Sequence, residues 1–302
     1  MHSGFLGFLR KQALLHRSRL VPSTAQSLRR RLAKTGVTPD KIEAHHISRI
    51  YRDMKGKWSA PDFDKIAHVV QALPRAKPID AELTGVIIET RRHKNIRLVL
   101  ESFLNAVDMP VQFFHGVDNE DYLKTELPTP IRERISFVKL PVGTFDANSY
   151  NALLLSEPFW TALAGRKKIL VFQTDALVCE NSCFDIREFL GFDYIGSLWR
   201  RKRRIGIVAD GGNGGLSLRD WHRSVECLRR FPAAEWRGGE DGYFAFHLDL
   251  LGYRIAKPAN CARFSTQEKF LYRSWGVHQP SLLKSADRDR FFAYCPEAHH
   301  LV

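Results

Sequence analysis

TGVIIET, Thr84 to Thr90, is a short run rich in β-branched residues with no polar alternation. Such a run fills a strand buried on both faces of a parallel sheet. Working downstream, the pattern predicts a helix from His93 to Ala106 and a strand over VQFFHG, Val111 to Gly116. A third strand is expected over ISFVKL (Ile135 to Leu140), a helix from Ser149 to Ala164, and a fourth strand over KILVFQT (Lys168 to Thr174). Strands alternating with helices argue for an α/β domain whose central sheet is mainly parallel and flanked by helices. In such sheets ligands gather at the carboxyl ends of the strands.

Working upstream, the pattern changes. Phe5, Phe8, Leu9, Leu14 and Leu15 recur at helical spacing among Arg10, Lys11, Arg17 and Arg19, a stripe that could lie flat in a membrane interface. A second basic helix is expected from Ser27 to Lys34. A third should run from Asp62 to Ala72, with Phe63, Ile66, Val69 and Val70 on one face. The LPRAKP stretch with Pro74 and Pro78 breaks this helix and reads as a linker. The expected organisation is a basic helical N-terminal extension over residues 1–80, then an α/β catalytic domain over 81–302.

The chain has 302 residues and a net charge of +13, with 44% apolar and 26% charged residues, enough for a real core. The charge is uneven: residues 1–80 hold 16 Lys and Arg against 6 Asp and Glu, so the other 222 carry only +3. A basic head on a nearly neutral body points to an anionic partner surface, whether membrane headgroups, nucleic acid or an anionic glycan. A solvated helical face without a partner is the plainer alternative. No run of 18 apolar residues occurs, so no transmembrane segment is expected, and the N-terminus lacks the features of a signal peptide. A cytoplasmic protein is expected, peripheral on the inner membrane face if the head binds lipid. Cys179, Cys183, Cys227, Cys261 and Cys295 are scattered and odd in number, which reads as reduced, mostly buried thiols.

Four stretches carry the chemistry. In FQTD, Phe172 to Asp175, a carboxylate stands where an apolar strand ends. It is costly to desolvate there unless it binds a cation or receives several hydrogen bonds. A turn or helix cap is the alternative. DGGNGGLSLR, Asp210 to Arg219, places four glycines in five positions, a loop that admits positive φ and lets a ligand approach the main chain, with Asn213 able to read a hydroxyl. It is neither a Walker loop nor a dinucleotide fingerprint. In WRGGEDGYF, Trp236 to Phe244, two acids open an apolar helix. One of them could act as general base on an acceptor hydroxyl, and helix capping is the alternative. Last, His278 in WGVH follows a glycine and could be a nitrogen ligand to a divalent metal.

In order, Glu89-Thr90-Arg91, Phe172–Asp175, Asp193–Gly196 with Trp199, Gly212–Arg219, Glu240-Asp241 and Gly276-Val277-His278 resemble the blocks of a GT-A type nucleotide-sugar glycosyltransferase. More narrowly, they resemble a little-characterised, mainly bacterial family assigned to the glycosyltransferases. The resemblance covers about residues 84–280 and does not reach the basic head. It implies a Rossmann-like donor half, with Thr90 and Arg91 beside the nucleotide and Gln173, Thr174 and Asp175 on the donor. Asp175 stands where such enzymes keep the last acid of their Asp-x-Asp metal motif, while Gln173 replaces the first. With His278 matching a late metal-binding histidine, the implied cofactor is a divalent ion, Mn2+ or Mg2+, at Asp175 and His278. Asp241 takes the role of base and Glu240 contacts acceptor or donor. Asn213, Gly214, Gly215, Arg219 and Trp199 are expected on the substrate.

The implied reaction moves a sugar from a nucleotide-diphosphate sugar, a uridine-diphosphate sugar favoured, to a hydroxyl of a saccharide or lipid-linked acceptor. Surface polysaccharide or glycoconjugate synthesis is the implied setting, with inversion favoured and retention open. Two other classes stay open. A basic nucleic-acid-binding protein would use the head, although no RNA-binding or helix-turn-helix motif is legible. A nucleotidyltransferase could use a similar sheet and would release pyrophosphate.

Overall fold

The structure, a computed structural model, describes residues 21–56 and 60–302. The Phe5, Phe8 and Leu9 stripe, and the membrane attachment expected of it, lie outside the described residues. The described residues open with helices α1 (Thr24–Ala33), α2 (Ala44–Asp53) and α3 (Phe63–Gln71). Then come β1 (Leu83–Glu89), α4 (Ile96–Ala106), β2 (Val111–His115), α5 (Glu120–Glu126), α6 (Thr129–Arg132) and β3 (Ile135–Lys139). Helices α7 (Ala147–Leu154) and α8 (Glu157–Thr161) lead to β4 (Lys168–Phe172), β5 (Ala176–Val178), β6 (Tyr194–Ser197) and β7 (Asn213–Asp220). The last elements are α9 (Trp221–Arg230), α10 (Glu240–Leu250), α11 (Pro258–Phe264), β8 (Ser265–Thr266), β9 (Gly276–His278) and α12 (Ser285–Tyr294).

The main sheet has six strands in the order β3-β2-β1-β4-β7-β6. β3, β2, β1 and β4 are parallel, and β7 runs against both of its neighbours. A small sheet, β5-β9-β8, stands beside it. Every residue of β1 and of β2 is buried, as a sheet covered on both faces requires. Side chains alternate along a strand, so Val86 and Ile88 enter one core while Ile87 enters the other. The fold is therefore α/β with a mostly parallel central sheet flanked by helices. Among the described residues, no helix is long and apolar enough to cross a membrane.

The expected boundary at residue 80 falls inside a shared core. Ala25, Leu28, Ile47, Tyr51, Ile66 and Val69, all from the expected extension, belong to the same apolar cluster as Val86 and Ile169 of the sheet. Polar contacts reinforce the docking onto α10. Gln26 Nε2 donates to Asp249 at 3.2 Å, Arg29 Nη1 donates to the Asp249 carbonyl at 2.6 Å, and Ser23 Oγ donates to the Asp249 carboxylate. Tyr51 Oη lies 2.7 Å from His247 Nε2, and burial lowers the His247 imidazole to about 3, keeping it neutral. The α1 start is fixed by a reciprocal Ser23–Gln26 capping box. Ile79, just past the expected linker, bridges to Gly165 ahead of β4.

Two other expectations need correction. The single helix from Ser149 to Ala164 is two, α7 and α8, because Pro158 can open a helix but cannot donate within one. The Asn213–Arg219 part of the glycine stretch is in strand β7, fifth in the order of the main sheet, rather than in a loop. Only Gly211 and Gly212, at φ +103° and +91°, use the left-handed region, in the turn that leads into β7.

If the N-terminal helices share one core with the sheet, Leu28→Ala should destabilise the whole chain by about 2–5 kcal/mol, the range for a buried Leu. Urea unfolding followed by tryptophan fluorescence should show one shifted transition. Two separate transitions would mean the helices fold apart from the sheet.

Candidate functional site

From β1 the chain runs outward to β2 and β3, while β4 lies on the other side. The crevice at the carboxyl ends of β1 and β4 is the place where such sheets bind ligands. A cleft of about 1540 Å³ opens there. It is lined by Thr90 and Arg91 after β1, by Gln173, Thr174 and Asp175 after β4, and by Asn213, Gly214 and Gly215 of β7. Glu240 and Asp241 at the start of α10, Trp199 after β6, and His278 of β9 complete it. Residues up to 188 positions apart, Thr90 to His278, thus share one cleft. Of the expected site residues only Arg219 stands behind the wall.

At the β1 end, Glu89 holds Arg91 in place. Its carboxylate accepts hydrogen bonds from Arg91 N (2.8 Å), Nε (2.9 Å) and Nη2 (2.8 Å), and from Thr174 Oγ1 (3.2 Å). This bond to Glu89 raises the Arg91 guanidinium above its ordinary value. Asn95 Nδ2 donates to the Thr174 carbonyl at 3.2 Å and so fastens the loop after β4 to α4. Thr90 Oγ1 accepts from Phe145 N at 3.1 Å. Glu89 was given no role of its own above. The signal was the one used for Asp175, an acid closing a buried strand.

Asp175, Gln173 and His278 converge. His278 Nε2 lies 3.2 Å from Asp175 Oδ1 and 3.3 Å from Gln173 Oε1. Burial pushes the Asp175 carboxyl up, but His278 and a Gln279 hydrogen bond pull harder and leave it below its ordinary value. Asp175 Oδ1 is nonetheless sealed from the surface with no hydrogen bond of proper geometry among the described residues. Next to His278, Gln279 adopts φ 49° and ψ 59°, alone among the described non-glycine residues in having positive φ. Such backbone costs about 1–3 kcal/mol and marks ligand clamps. Its amide donates to the Asp175 carbonyl at 2.9 Å, tying β9 to the FQTD turn. The sequence shows nothing of this strain.

Spacings of 3.2 and 3.3 Å between an imidazole nitrogen, a carboxylate oxygen and an amide oxygen suit adjacent ligands of one cation. Bonds of about 2.1 Å at right angles put such atoms about 3 Å apart. The residues present therefore fit a hard divalent ion, with the convergence of Asp175 Oδ1, Gln173 Oε1 and His278 Nε2 as the observation that speaks for one. Cys179, Cys295 and Glu297 also cluster within 4.8 Å, but none of them lines the cleft.

Arg219 and Glu240 find each other instead of a substrate. Arg219 is 0% exposed and Glu240 is 4% exposed. They form a two-pronged ion pair, with Arg219 Nη2 to Glu240 Oε1 at 3.0 Å. Desolvation pushes the Glu240 carboxyl up against the pull of Arg219, and the neighbouring Glu240 charge keeps the buried guanidinium protonated. Asp241 is placed differently. Its Oδ1 accepts from Gly242 N at 2.6 Å and its Oδ2 lies 3.8 Å from Arg203 Nη2, at the cleft wall. Asn213 Oδ1 accepts a hydrogen bond from Gly215 N at 2.9 Å. Trp199 donates from Nε1 to the Ala209 carbonyl at 3.3 Å and carries the Arg203 guanidinium 3.8 Å above its ring.

Residues 134–280, a little under half of the chain, match a family described as "Protein of unknown function (DUF5672)". The match runs from just before β3 to just past β9 and leaves β1 and the N-terminal helices outside. No curated protein matches the sequence. Among solved structures, the chain is similar to a protein assigned as a glucose-1-phosphate thymidylyltransferase from Bacillus anthracis, in complex with sucrose. The TM-score is 0.32 at 12% identity, over 55% of this chain and 83% of that one.

The β7 glycines have a purpose unlike the one expected. A Cβ on Gly215 would stand 2.1 Å from His278 Nε2 and 2.6 Å from Gln173 Oε1, and one on Gly214 would stand 2.1 Å from Glu240 Oε1. They clear space for the site's own side chains. The His278 ring is buried and cannot swing away, so Gly215→Ala should destabilise by about 1–3 kcal/mol, as overpacking does. Thermal unfolding checks this. An unchanged melting temperature would mean that the ring is free to move.

Proposed function

We propose that this protein is a glycosyltransferase that takes a sugar from a nucleotide-diphosphate sugar and places it on an acceptor hydroxyl. The observation that supports this best is the meeting of Gln173, Asp175 and His278 with Asp241 in one cleft at the β1/β4 crevice.

Arg91, held by three hydrogen bonds to Glu89, presents a fixed positive group to a departing diphosphate. Gln173, Asp175 and His278 would hold a divalent ion, which when bound supplies Lewis-acid charge to the same diphosphate. Asp241 takes the proton from the acceptor hydroxyl as its oxygen attacks the anomeric carbon. The sugar–phosphate bond breaks and its electron pair leaves with the diphosphate. Attack from the face opposite the leaving group inverts the anomeric centre. Glu240 cannot share the base role, because both its oxygens face Arg219. It holds the start of α10, and with it Asp241.

Two measurements test this. Asp241→Asn keeps the shape and removes the basicity, so kcat should fall about 10²–10⁴-fold with donor affinity nearly constant. Near-normal kcat would remove Asp241 from the chemistry. In a thermal-shift screen of nucleotide sugars, one donor should raise the melting temperature with manganese and not with chelator. Saturation at about 100 times Kd adds roughly 2.7 kcal/mol. If none shifts the protein, the donor reading fails.

A further inference from the structure

WRRKRRIG, Trp199 to Gly206, holds five consecutive cations, Arg200 to Arg204, and all five line the cleft. The segment is a built surface. Ala209 N donates to the Arg201 carbonyl at 2.9 Å, Arg203 N donates to the Ile207 carbonyl at 2.8 Å, and Lys202 bridges antiparallel to Val208. The N-terminal helices brace it from behind: Thr24 N donates to the Val208 carbonyl at 2.8 Å and Val208 N to Thr24 Oγ1 at 2.9 Å. Its Arg203 lies beside Asp241, so the basic segment borders the acceptor end of the site.

The balance of charge decides what this surface takes. Apart from Asp175, whose neighbour within 4 Å is the imidazole of His278, the carboxylates lining the cleft each have an Arg or Lys within 4 Å among the described residues: Glu89 with Arg91, Asp146 with Lys65 and Glu240 with Arg219. The rest are Asp241 with Arg203, Glu268 with Arg200 and Asp287 with Arg290. Lys202, Lys269 and Lys284 line the same cleft, are exposed, and have no ion-pair partner among the described residues. They stand on adjacent segments. Arg200 reaches Glu268 at 3.4 Å, and Phe270 N donates to the Asp287 carboxylate at 3.4 Å. With one acid left without an Arg or Lys partner and three lysines left without an acid, the cleft has positive charge to spare.

We infer that the acceptor is an anionic glycan, bearing phosphate or carboxylate groups that Lys202, Lys269, Lys284 and the Arg200–Arg204 segment bind. This rests on the glycosyltransferase reading and names the substrate class of its acceptor end. Charge-assisted bonds to a glycan acid place the neighbouring hydroxyl beside Asp241.

The test is direct binding by the full chain, read by calorimetry at low salt, where exposed charges act most strongly. The probes are a carboxylated oligogalacturonate, a phosphorylated malto-oligosaccharide, neutral maltohexaose, and a single-stranded oligonucleotide. At least one anionic glycan should bind about tenfold or more tighter than maltohexaose, and that preference should shrink as salt rises. The tighter of the two tells phosphate from carboxylate. The variant Lys202→Glu, Lys269→Glu, Lys284→Glu changes only exposed side chains, and it should lose the preference about tenfold. The Lys→Gln triple variant should lose less. Equal binding of neutral and anionic glycans overturns the inference, as does a preference that survives charge reversal. Tightest binding to the oligonucleotide overturns it in favour of nucleic acid. No step here needs donor or turnover. A cleft that binds anionic glycan but no nucleotide sugar therefore refutes the donor reading alone.

Discussion

The site depends on one buried ion pair. Arg219 of β7 meets Glu240, first residue of α10, with side-chain exposures of 0% and 5%. The guanidinium also bonds Ser217 Oγ at 2.9 Å and the Gly214 carbonyl at 3.3 Å, and lies 5.4 Å from the rings of both Tyr194 and Phe244. Two charges removed from water at such depth are costly, so the pair is poor as a source of stability and strong as a constraint on geometry. Losing either partner alone strands a charge, at about 3–5 kcal/mol. The start of α10 is thereby locked to the sheet, which sets Asp241 at the cleft.

This pair also explains the glycines. A strand carrying a fully buried arginine must leave room for the carboxylate that answers it, and Gly214 does so. One residue on, Gly215 leaves room for His278, arriving from another sheet. Strand β7 is thus glycine-rich for the sake of side chains from α10 and β9. Local sequence carries no trace of that, and four glycines in five positions read as a loop. The parallel strands were legible for the opposite reason. Val86 to Ile88 and Ile169 to Phe172 are packed on both faces, so each strand announces itself by continuous apolar residues. The positions of Thr90, Arg91, Gln173 and Asp175 followed, since strand ends locate themselves once strands are known.

What the sequence concealed was pairing. Arg219 and Glu240 were each expected on a substrate through the blocks that carry the family resemblance. Only the fold shows them 3.0 Å apart. The Arg200–Arg204 run was visible but diluted, because the net charge of residues 81–302 is nearly balanced by acids elsewhere. Counting charge by region located the basic head and passed over the basic wall of the cleft. Local runs, and not regional sums, report on a field that salt screens within about 8–10 Å.

The head itself gains a structural meaning from α10. Every residue of that helix is buried, including His247 and Asp249, so no face of it can meet water. A helix with apolar residues all round needs cover on all sides. The sheet supplies one side, α9 another, and α1 with α2 the remainder, through Leu28, Tyr51 and the Ser23–Asp249 contact. Apolar residues of the N-terminal helices point inward, while Arg30, Arg31 and Lys34 face solvent. The same helices brace the basic segment through Thr24 and Val208. One N-terminal layer therefore supports both ends of the proposed acceptor site, the helix that carries Asp241 and the basic segment Arg200–Arg204.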